Sequence, residues 1–417
     1  MGHRLVAALV LATTVVGASA RADDSPASGQ REVRDYPLIL VHHPARLWTM
    51  KQFNQNYLSG YRALSRKAEK HLSARVELLL QLGLTIFTLA WTHEEGHRSI
   101  LTTKNIGSIS RPYPNADGAA YVQGVTDATL MDLRDNSLPT FVRLHTAGLE
   151  SDYALGNRCT SLAAFEQEKL LRIWVECTLR RASHILYFAL SPIDSLSPNL
   201  EEEANELERD IVGHDVLGAI RHLHRPTMPF YRYTDPEDLT SQEENFVTRV
   251  ALRSLLNLFN PTILGRSNFE VAPGLKLSGS FGYSMSPFGD FIDENVWLLY
   301  KELRVHAYLR QLQGQERWYP AGGMRVVDYP VMPRVHASLE LHGWAQPEGL
   351  TFAASQRKVG GMIIALARTR VIEFGRGADE GSMSVDVGFT AKTEGFAPEE
   401  SYLGEKFGLQ LGTTVRF

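Results

Sequence analysis

The sequence lacks three features that would narrow its function at once. It has only two cysteines, Cys159 and Cys177, so it can form one disulfide at most, and two buried free thiols are the alternative. Its net charge of -4 and isoelectric point near 6.4 offer no general attraction to nucleic acid. Beyond the N-terminus, no apolar run reaches the ~18–20 residues of a spanning helix, so any residence in a membrane must come from β-strands.

The N-terminus has the pattern of a secretory signal peptide. A basic start at His3 and Arg4 precedes an apolar stretch over residues 5–17, and small residues follow at Ala18, Ala20 and Ala22. This segment is too short and wrongly flanked for a permanent membrane anchor. We therefore expect residues 1–22 to be removed, with cleavage after Ala20 or Ala22, and the mature protein to leave the cytoplasm.

The most informative motif is HEEGH, in which His93, Glu94 and His97 match the HExxH pattern after a long apolar run. On a helix, residues four apart lie one above the other, so the two imidazoles face a single point, an arrangement that suits zinc. Glu94 would lie beside a metal-bound water, whose proton a carboxylate can take and pass to a leaving group. We therefore predict zinc bound by both histidines, with Glu94 as general base.

A simpler interpretation of this motif is two ordinary polar histidines where the helix emerges into solvent. Residues 78–91 are apolar almost all the way round, which is typical of a buried helix. A charged turn at the end of such a helix is costly unless something compensates its charge. A metal ion would do so, and the context therefore favours the zinc site.

The length of 417 residues, with 44% hydrophobic and 22% charged residues, allows two or three globular domains. Residues 37–44 form a short extended segment, and helical patterns then run from about residue 47 and over 78–101, 125–149, 161–190, 200–224 and 241–259. Residues 102–124 are rich in glycine, proline and serine and predict a loop or short hairpin. We predict an all-α, metallohydrolase-like domain over residues 23–265.

At about Pro261 the pattern changes to an alternation of apolar and polar residues. We predict about eight antiparallel strands between residues 274 and 417, closing a transmembrane β-barrel over residues 266–417. A soluble β-sandwich also alternates and is the alternative. The membrane is favoured because aromatic residues recur near the predicted strand ends, as interfacial girdles require, at Trp297, Trp318, Tyr319, Tyr329, Trp344, Phe396 and Tyr402.

The final segment, KFGLQLGTTVRF, alternates in the same way and ends on Phe417. It resembles the C-terminal targeting strand of bacterial outer-membrane proteins. The resemblance implies location in the bacterial outer membrane, with its lipid as a partner. The helical domain would then face the periplasm or fill the barrel.

A catalytic zinc usually takes a third protein ligand, and two acidic segments offer one. Residues 205–210 read NExxxD, and together with HEEGH this resembles the gluzincin metallopeptidases. The resemblance implies that Glu206 is the third ligand and that Asp210 holds a ring nitrogen of a ligand histidine. The alternative third ligand is Glu150, in the segment RLHTAGLESDYAL.

Two further histidines are candidates for stabilising a tetrahedral oxyanion. His145 lies in the same segment as Glu150, and His214 with Asp215 follows the NExxxD motif, where a plain polar helix contact is the alternative. We predict a zinc metallopeptidase that acts on envelope polypeptides. The alternatives are a non-catalytic outer-membrane pore or binding protein with a helical plug, and a zinc hydrolase of lipid or cell-wall amides.

Overall fold

The structure, a computed structural model, describes residues 33–113, 120–193, 203–375 and 380–417. The predicted signal peptide, residues 1–22, lies outside these ranges. The described part has helices in its N-terminal half and one large antiparallel sheet built mainly from its C-terminal half. The fold is therefore α+β.

Seven α-helices lie in the described ranges. They are α1 (Met50–His71), α2 (Ala74–Thr103), α3 (Asp127–Asn136), α4 (Leu138–Ala164), α5 (Leu170–Leu190), α6 (Asp215–His224) and α7 (Ser241–Ser254). Between α2 and α3, strands β2 (Ile109–Arg111) and β3 (Tyr121–Gln123) form the short hairpin that was one of the two predictions for this segment.

Two of the predicted helices have different limits in the structure. The helix predicted over residues 161–190 is interrupted after Ala164, where Glu166 takes a positive φ of 55°. The helix predicted over residues 200–224 begins only at Asp215, and residues 203–214 form turns instead. Gly213 has a φ of 62°, a left-handed conformation that glycine adopts without strain and that ends the turns just before α6.

The sheet has ten strands. They are β1 (Asp35–His43), β4 (Phe269–Ala272), β5 (Leu275–Ser286), β6 (Gly289–Tyr300), β7 (Leu303–Gln313), β8 (Trp318–Met332), β9 (Val335–Pro347), β10 (Arg357–Phe374), β11 (Gly381–Lys392) and β12 (Lys406–Arg416). From β4 to β12 each strand pairs antiparallel with the next one in the chain. Strands β5 to β12 lie within the region where about eight strands were predicted.

The extended segment near the N-terminus belongs to this sheet as β1, which pairs antiparallel with β12. The other edge of β1 is covered by polar side chains of α1. Asn56 accepts a hydrogen bond from the Ile39 amide, and Gln52 donates to the carbonyls of Ile39 and Leu40. These bonds satisfy backbone groups that an edge strand would otherwise leave unpaired.

The last two strands bury polar side chains and expose apolar ones. In β11, Ser384 and Asp386 are buried, whereas Val385, Val387 and Phe389 are each between 43% and 45% exposed. Strand β12 follows the same rule, with Phe407, Leu409 and Leu411 exposed. A soluble sheet that packs on a hydrophobic core shows the opposite alternation.

Helix α4 packs against the buried polar face of the sheet. Trp297 of β6 donates a hydrogen bond to Ser161 at 2.8 Å, and Tyr153 donates to Asp293, which Arg310 also holds with two bonds of 2.6 Å. A cavity of about 570 Å³ with charged walls separates α1 and the end of α4 from the strands. The helical half therefore fills the polar side of the sheet.

The predicted aromatic girdle is wrong for most of its members. Among the seven residues named for it, only Trp318 and Tyr329 are exposed, at 46% and 43%. The side chains that face inward fill the space between sheet and helices, and they are Trp297, Tyr319, Trp344 and Phe396. Spacing along a strand does not show which face an aromatic side chain occupies when both faces carry large residues.

The structure also bears on two predictions, one about a disulfide and one about membrane-spanning segments. Cys159 and Cys177 are buried free thiols packed in one hydrophobic cluster. By length and composition alone, α2 is long and apolar enough to cross a membrane. The expectation that no segment reaches that length is therefore wrong. The threonines of α2 interrupt its apolar run, but the helix as a whole remains apolar enough to span.

Candidate metal centre

The C-terminal part of α2 brings His93 and His97 together with Asp215, the first residue of α6. Nε2 of His93 lies 2.9 Å from Oδ2 of Asp215, and Nε2 of His97 lies 3.3 Å from the same oxygen. One ligand atom from each residue falls within 4.8 Å of the others, which fits a shared metal ion. Ligand atoms about 2.0–2.2 Å from a tetrahedral zinc lie roughly 3.3–3.6 Å apart, so small shifts of these side chains would be needed to hold the ion.

The second ring nitrogen of each histidine already has an acceptor. Nδ1 of His93 is 2.9 Å from Asp152 on α4, and Nδ1 of His97 is 2.6 Å from the carbonyl oxygen of Leu144. Arg180 on α5 holds the other oxygen of Asp152 at 2.8 Å. Such partners fix the tautomer of metal-binding histidines and leave Nε2 toward the ion.

Gly148 on α4 keeps open the space that faces both histidines. A Cβ atom added at this position would lie 2.5 Å from Nε2 of His97 and would also overlap the ring of His93 at its Nε2 edge. The missing side chain therefore leaves a cradle in front of the two nitrogens that would bind an ion. The donor set and this space together fit a divalent metal such as zinc.

Replacing Gly148 by alanine should weaken metal binding by about 10–100-fold, as displaced outer-shell partners do. Gly156, two turns further along α4, is the matched control, because an added Cβ there meets nothing closer than 3.7 Å. Gly156→Ala should retain metal and gain roughly 0.5–1 kcal/mol of helix stability. Competition with a chromogenic chelator measures the zinc affinity of both variants, and equal affinities would contradict the placement of the ion in front of Gly148.

The charges of the centre are strongly coupled. Burial alone would raise the pKa of Asp215, but His97 and His93 outweigh it and hold that pKa well below its usual range. Burial opposes the charge on His93, yet hydrogen bonds to Asp152 and Asp215 raise its pKa. A metal at Nε2 would take the place of the ring proton that now faces Asp215.

Glu94 lies beside this group and is buried. Desolvation raises the pKa of Glu94 to about 7, against the opposing effect of His97 and His93. On the solvent side, the ring of Tyr187 stacks on His93 at a centroid distance of 5.6 Å. Tyr187 is 36% exposed as a residue, but burial raises the pKa of its hydroxyl well above the usual value, so the hydroxyl stays protonated at neutral pH.

The structure does not bring either predicted glutamate to the two histidines. Glu150 is fully buried and makes two hydrogen bonds with Arg143, at 2.7 and 2.9 Å. Glu206 lies in the turns before α6, where it accepts a hydrogen bond from the Asp127 amide. The third position is occupied by Asp215 instead, because the turns over residues 203–214 carry Glu206 away from α2.

Asp210 does not hold a ligand histidine either. Its carboxylate accepts a hydrogen bond from the Val212 amide at 3.3 Å, and burial raises its pKa to about 8, helped by the charge of Glu94. Asp152 occupies the role that was predicted for Asp210. Both belonged to segments singled out in the sequence, but the long-range packing of α4 on α2 decides between them.

The two histidines predicted to face an oxyanion differ in position. His214 immediately precedes Asp215 at the start of α6 and is buried beside the centre. His145 is enclosed between α4 and α6, with its ring 5.5 Å from that of His222, and burial lowers its pKa to about 3. The role predicted for His145 stays a prediction, and its ring is fully buried.

Sequence reasoning did not assign roles to Asp152, Asp215, Gly148, Arg180 or Tyr187. Asp152 and Asp215 each lie close in sequence to a predicted site residue, which is a signal that could have found them. Gly148 lies in the segment that was predicted to supply Glu150, whereas Arg180 and Tyr187 come from a helix that the sequence gives no reason to place beside HEEGH. No family model and no curated protein matches this chain.

Proposed function

We propose that this protein is a zinc-dependent hydrolase, and most specifically a metallopeptidase of the bacterial outer membrane. The observation that supports it is the group of His93, His97 and Asp215, whose ligand atoms face the open space in front of Gly148. Two nitrogens and one carboxylate oxygen, with a fourth position free, are the usual protein ligands of catalytic zinc. The gluzincin resemblance supports the class of reaction, although its third ligand is replaced here by Asp215.

A zinc ion held by His93, His97 and Asp215 would supply a Lewis acid able to polarise a carbonyl and acidify water. Glu94, next to His93 in sequence, accepts the proton of the attacking water and returns it to the departing amine. The hydroxyl of Tyr187, on the exposed side of His93, donates a hydrogen bond to the developing oxyanion. Asp152 and the Leu144 carbonyl hold the two imidazoles in orientation throughout.

The proposed location rests on the inverted alternation of the strands. Apolar side chains on the outer face and polar ones on the inner face are what a transmembrane β-barrel requires. The ten-stranded sheet, with β1 paired to β12, supplies the strands for such a barrel, and the helical half would lie inside it or at its periplasmic end. Lipid of the outer membrane and an envelope polypeptide are the proposed partners.

A non-catalytic pore or binding protein with a helical plug is the second candidate. It is favoured by the packing of α4 on the polar face of the sheet and by the charged cavity of about 570 Å³ between them. In that case the histidines would serve only the structure. A hydrolase of lipid or cell-wall amides would use the same residues as the peptidase and differs only in its substrate.

Treating the detergent-purified protein with a chelator should abolish peptide hydrolysis, and adding zinc should restore it. Cleavage of a mixed peptide library, followed by mass spectrometry, measures the activity, and elemental analysis measures zinc in the same samples. Lipid amides assayed in parallel separate the peptidase from the lipid amidase. Protein that holds no zinc under metal-replete conditions, or activity that survives its removal, would contradict the proposal.

A further inference from the structure

Helix α2 is inverted with respect to an ordinary amphipathic helix. Its buried face over the first five turns is polar, and the buried residues are Glu77, Gln81, Thr85, Thr88 and Thr92. These side chains bond to each other and to neighbouring helices. Gln81 donates to Glu77, Thr88 bonds to Tyr57 of α1 at 2.7 Å, and Thr92 accepts from Arg180 of α5.

The opposite face of the same turns is apolar, and among the described residues the rings of Tyr113 and Phe53 contact it, at Phe87 and Trp91. Its residues recur at helical spacing and are between 37% and 66% exposed, and they are Val76, Leu79, Leu80, Ile86, Phe87 and Trp91. The face contains no charged side chain. At 1.5 Å of rise per residue, it extends roughly 23 Å along the helix, which is close to the ~25 Å apolar band of an outer-membrane protein.

The two ends of this face have the residues expected at membrane boundaries. Lys67, Lys70 and Arg75 are exposed near the start of α2, where their cationic groups suit lipid phosphates. At the other end, Trp48 and Trp91 are 50% and 39% exposed. Tryptophan is enriched at the level of lipid headgroups. Along the helix, cationic residues, apolar residues and tryptophan therefore follow one another as headgroups, acyl chains and headgroups do across a bilayer.

The apolar face of α2 also has apolar neighbours in the sheet. Leu40 and Val41 of β1 are 59% and 46% exposed, and α1, which covers the edge of β1, packs against α2. On the outer faces of β11 and β12 the exposed apolar side chains continue. Exposed apolar surface of this extent, on a helix whose polar side is already bonded inside, matches contact with hydrocarbon.

We propose that the face of α2 formed by residues 76–91 contacts the acyl chains of the bilayer. The inference rests on the proposed membrane location, and it places this one face of the helical half against lipid beside the strands, rather than inside a barrel or in the periplasm. His93 follows Trp91 by two residues, or ~3 Å along the axis, so the metal centre lies at the level where the apolar face ends. The centre is then at the membrane boundary, within reach of substrates held there.

Each test protein carries one introduced cysteine, which is labelled with an environment-sensitive fluorophore. The full-length protein is then reconstituted into phosphatidylcholine vesicles. Leu79→Cys and Ile86→Cys report on α2, and Val387→Cys reports on the outer face of β11. Thr248→Cys, at an exposed position on α7, is the aqueous control. The native thiols are buried, and the unaltered chain carried through the labelling corrects for them.

Phosphatidylcholine brominated on its acyl chains should quench the labels at Leu79 and Ile86 severalfold more than the label at Thr248. Quenching at Val387 without quenching at either α2 position would overturn the inference and leave the membrane location of the sheet intact. Absence of quenching at all three positions would overturn both. Because all the altered side chains are exposed, loss of folding is not expected, and resistance to protease checks it.

Discussion

Replacing Asp215 by alanine should lower zinc affinity by more than ~100-fold, beyond the 10–100-fold that follows loss of an outer-shell partner. The reason is that Asp215 supplies the only carboxylate oxygen within 3.3 Å of both histidine Nε2 atoms in the described part of the chain. Asp152→Asn should fall in the 10–100-fold range itself, because Asp152 bonds to Nδ1 of His93 and does not face the ion. The two variants therefore give a graded series.

Zinc content by elemental analysis and affinity by chelator competition measure this series. His97→Ala is the positive control and should lose zinc like Asp215→Ala. Glu206→Ala is the negative control and should keep its zinc, because Glu206 bonds to the Asp127 amide away from the centre. Loss of zinc from the Glu206 variant and retention in the Asp215 variant would restore the ligand set of the gluzincin resemblance.

Glu94→Gln should keep its zinc and lose hydrolytic rate by about 10²–10⁴-fold, the usual contribution of a general base. The amide has the shape of the carboxylate but cannot accept a proton from water. Glu95→Gln is the matched control, since it makes the same change at the next residue. Glu95 points elsewhere, toward Arg98 and Ser110, and its variant should stay active.

Initial rates on a cleaved peptide, with zinc content measured on the same preparations, separate a lost base from a lost metal. A Glu94→Gln protein that keeps both its zinc and its rate would show that this glutamate takes no part in hydrolysis. A loss of rate in both variants would point to general damage at the end of α2.

The fold could be predicted where the signal is local. Alternation over β5 to β12 and the apolar run of α2 follow from the residues themselves, because side chains recur at the period of the backbone. The membership of β1 in the sheet could not be predicted in this way. Its partner, β12, lies at the other end of the chain, and nothing in residues 37–44 specifies that pairing.

The same distinction applies to the candidate metal centre, where local spacing predicts some residues and helix packing decides the others. His93, Glu94 and His97 share one helical turn, so their spacing alone places them together. Asp215 and Asp152 arrive on α6 and α4, and only the packing of these helices on α2 shows which of several acidic residues reaches the histidines. The acidic character of Glu150 led to a wrong prediction of its partner, which is the buried guanidinium of Arg143 rather than a metal ion.

The pairing of β1 with β12 affects how the chain folds. Asp35 and Arg416 bond across a separation of 381 residues, so this contact can form only after nearly the whole described chain has been synthesised. Contacts so distant in sequence impose a large loop-closure entropy and slow the final step. The helical half lies between these two strands in the sequence. Once the two strands pair, the start of the helical half is tied through β1 to the last strand of the sheet.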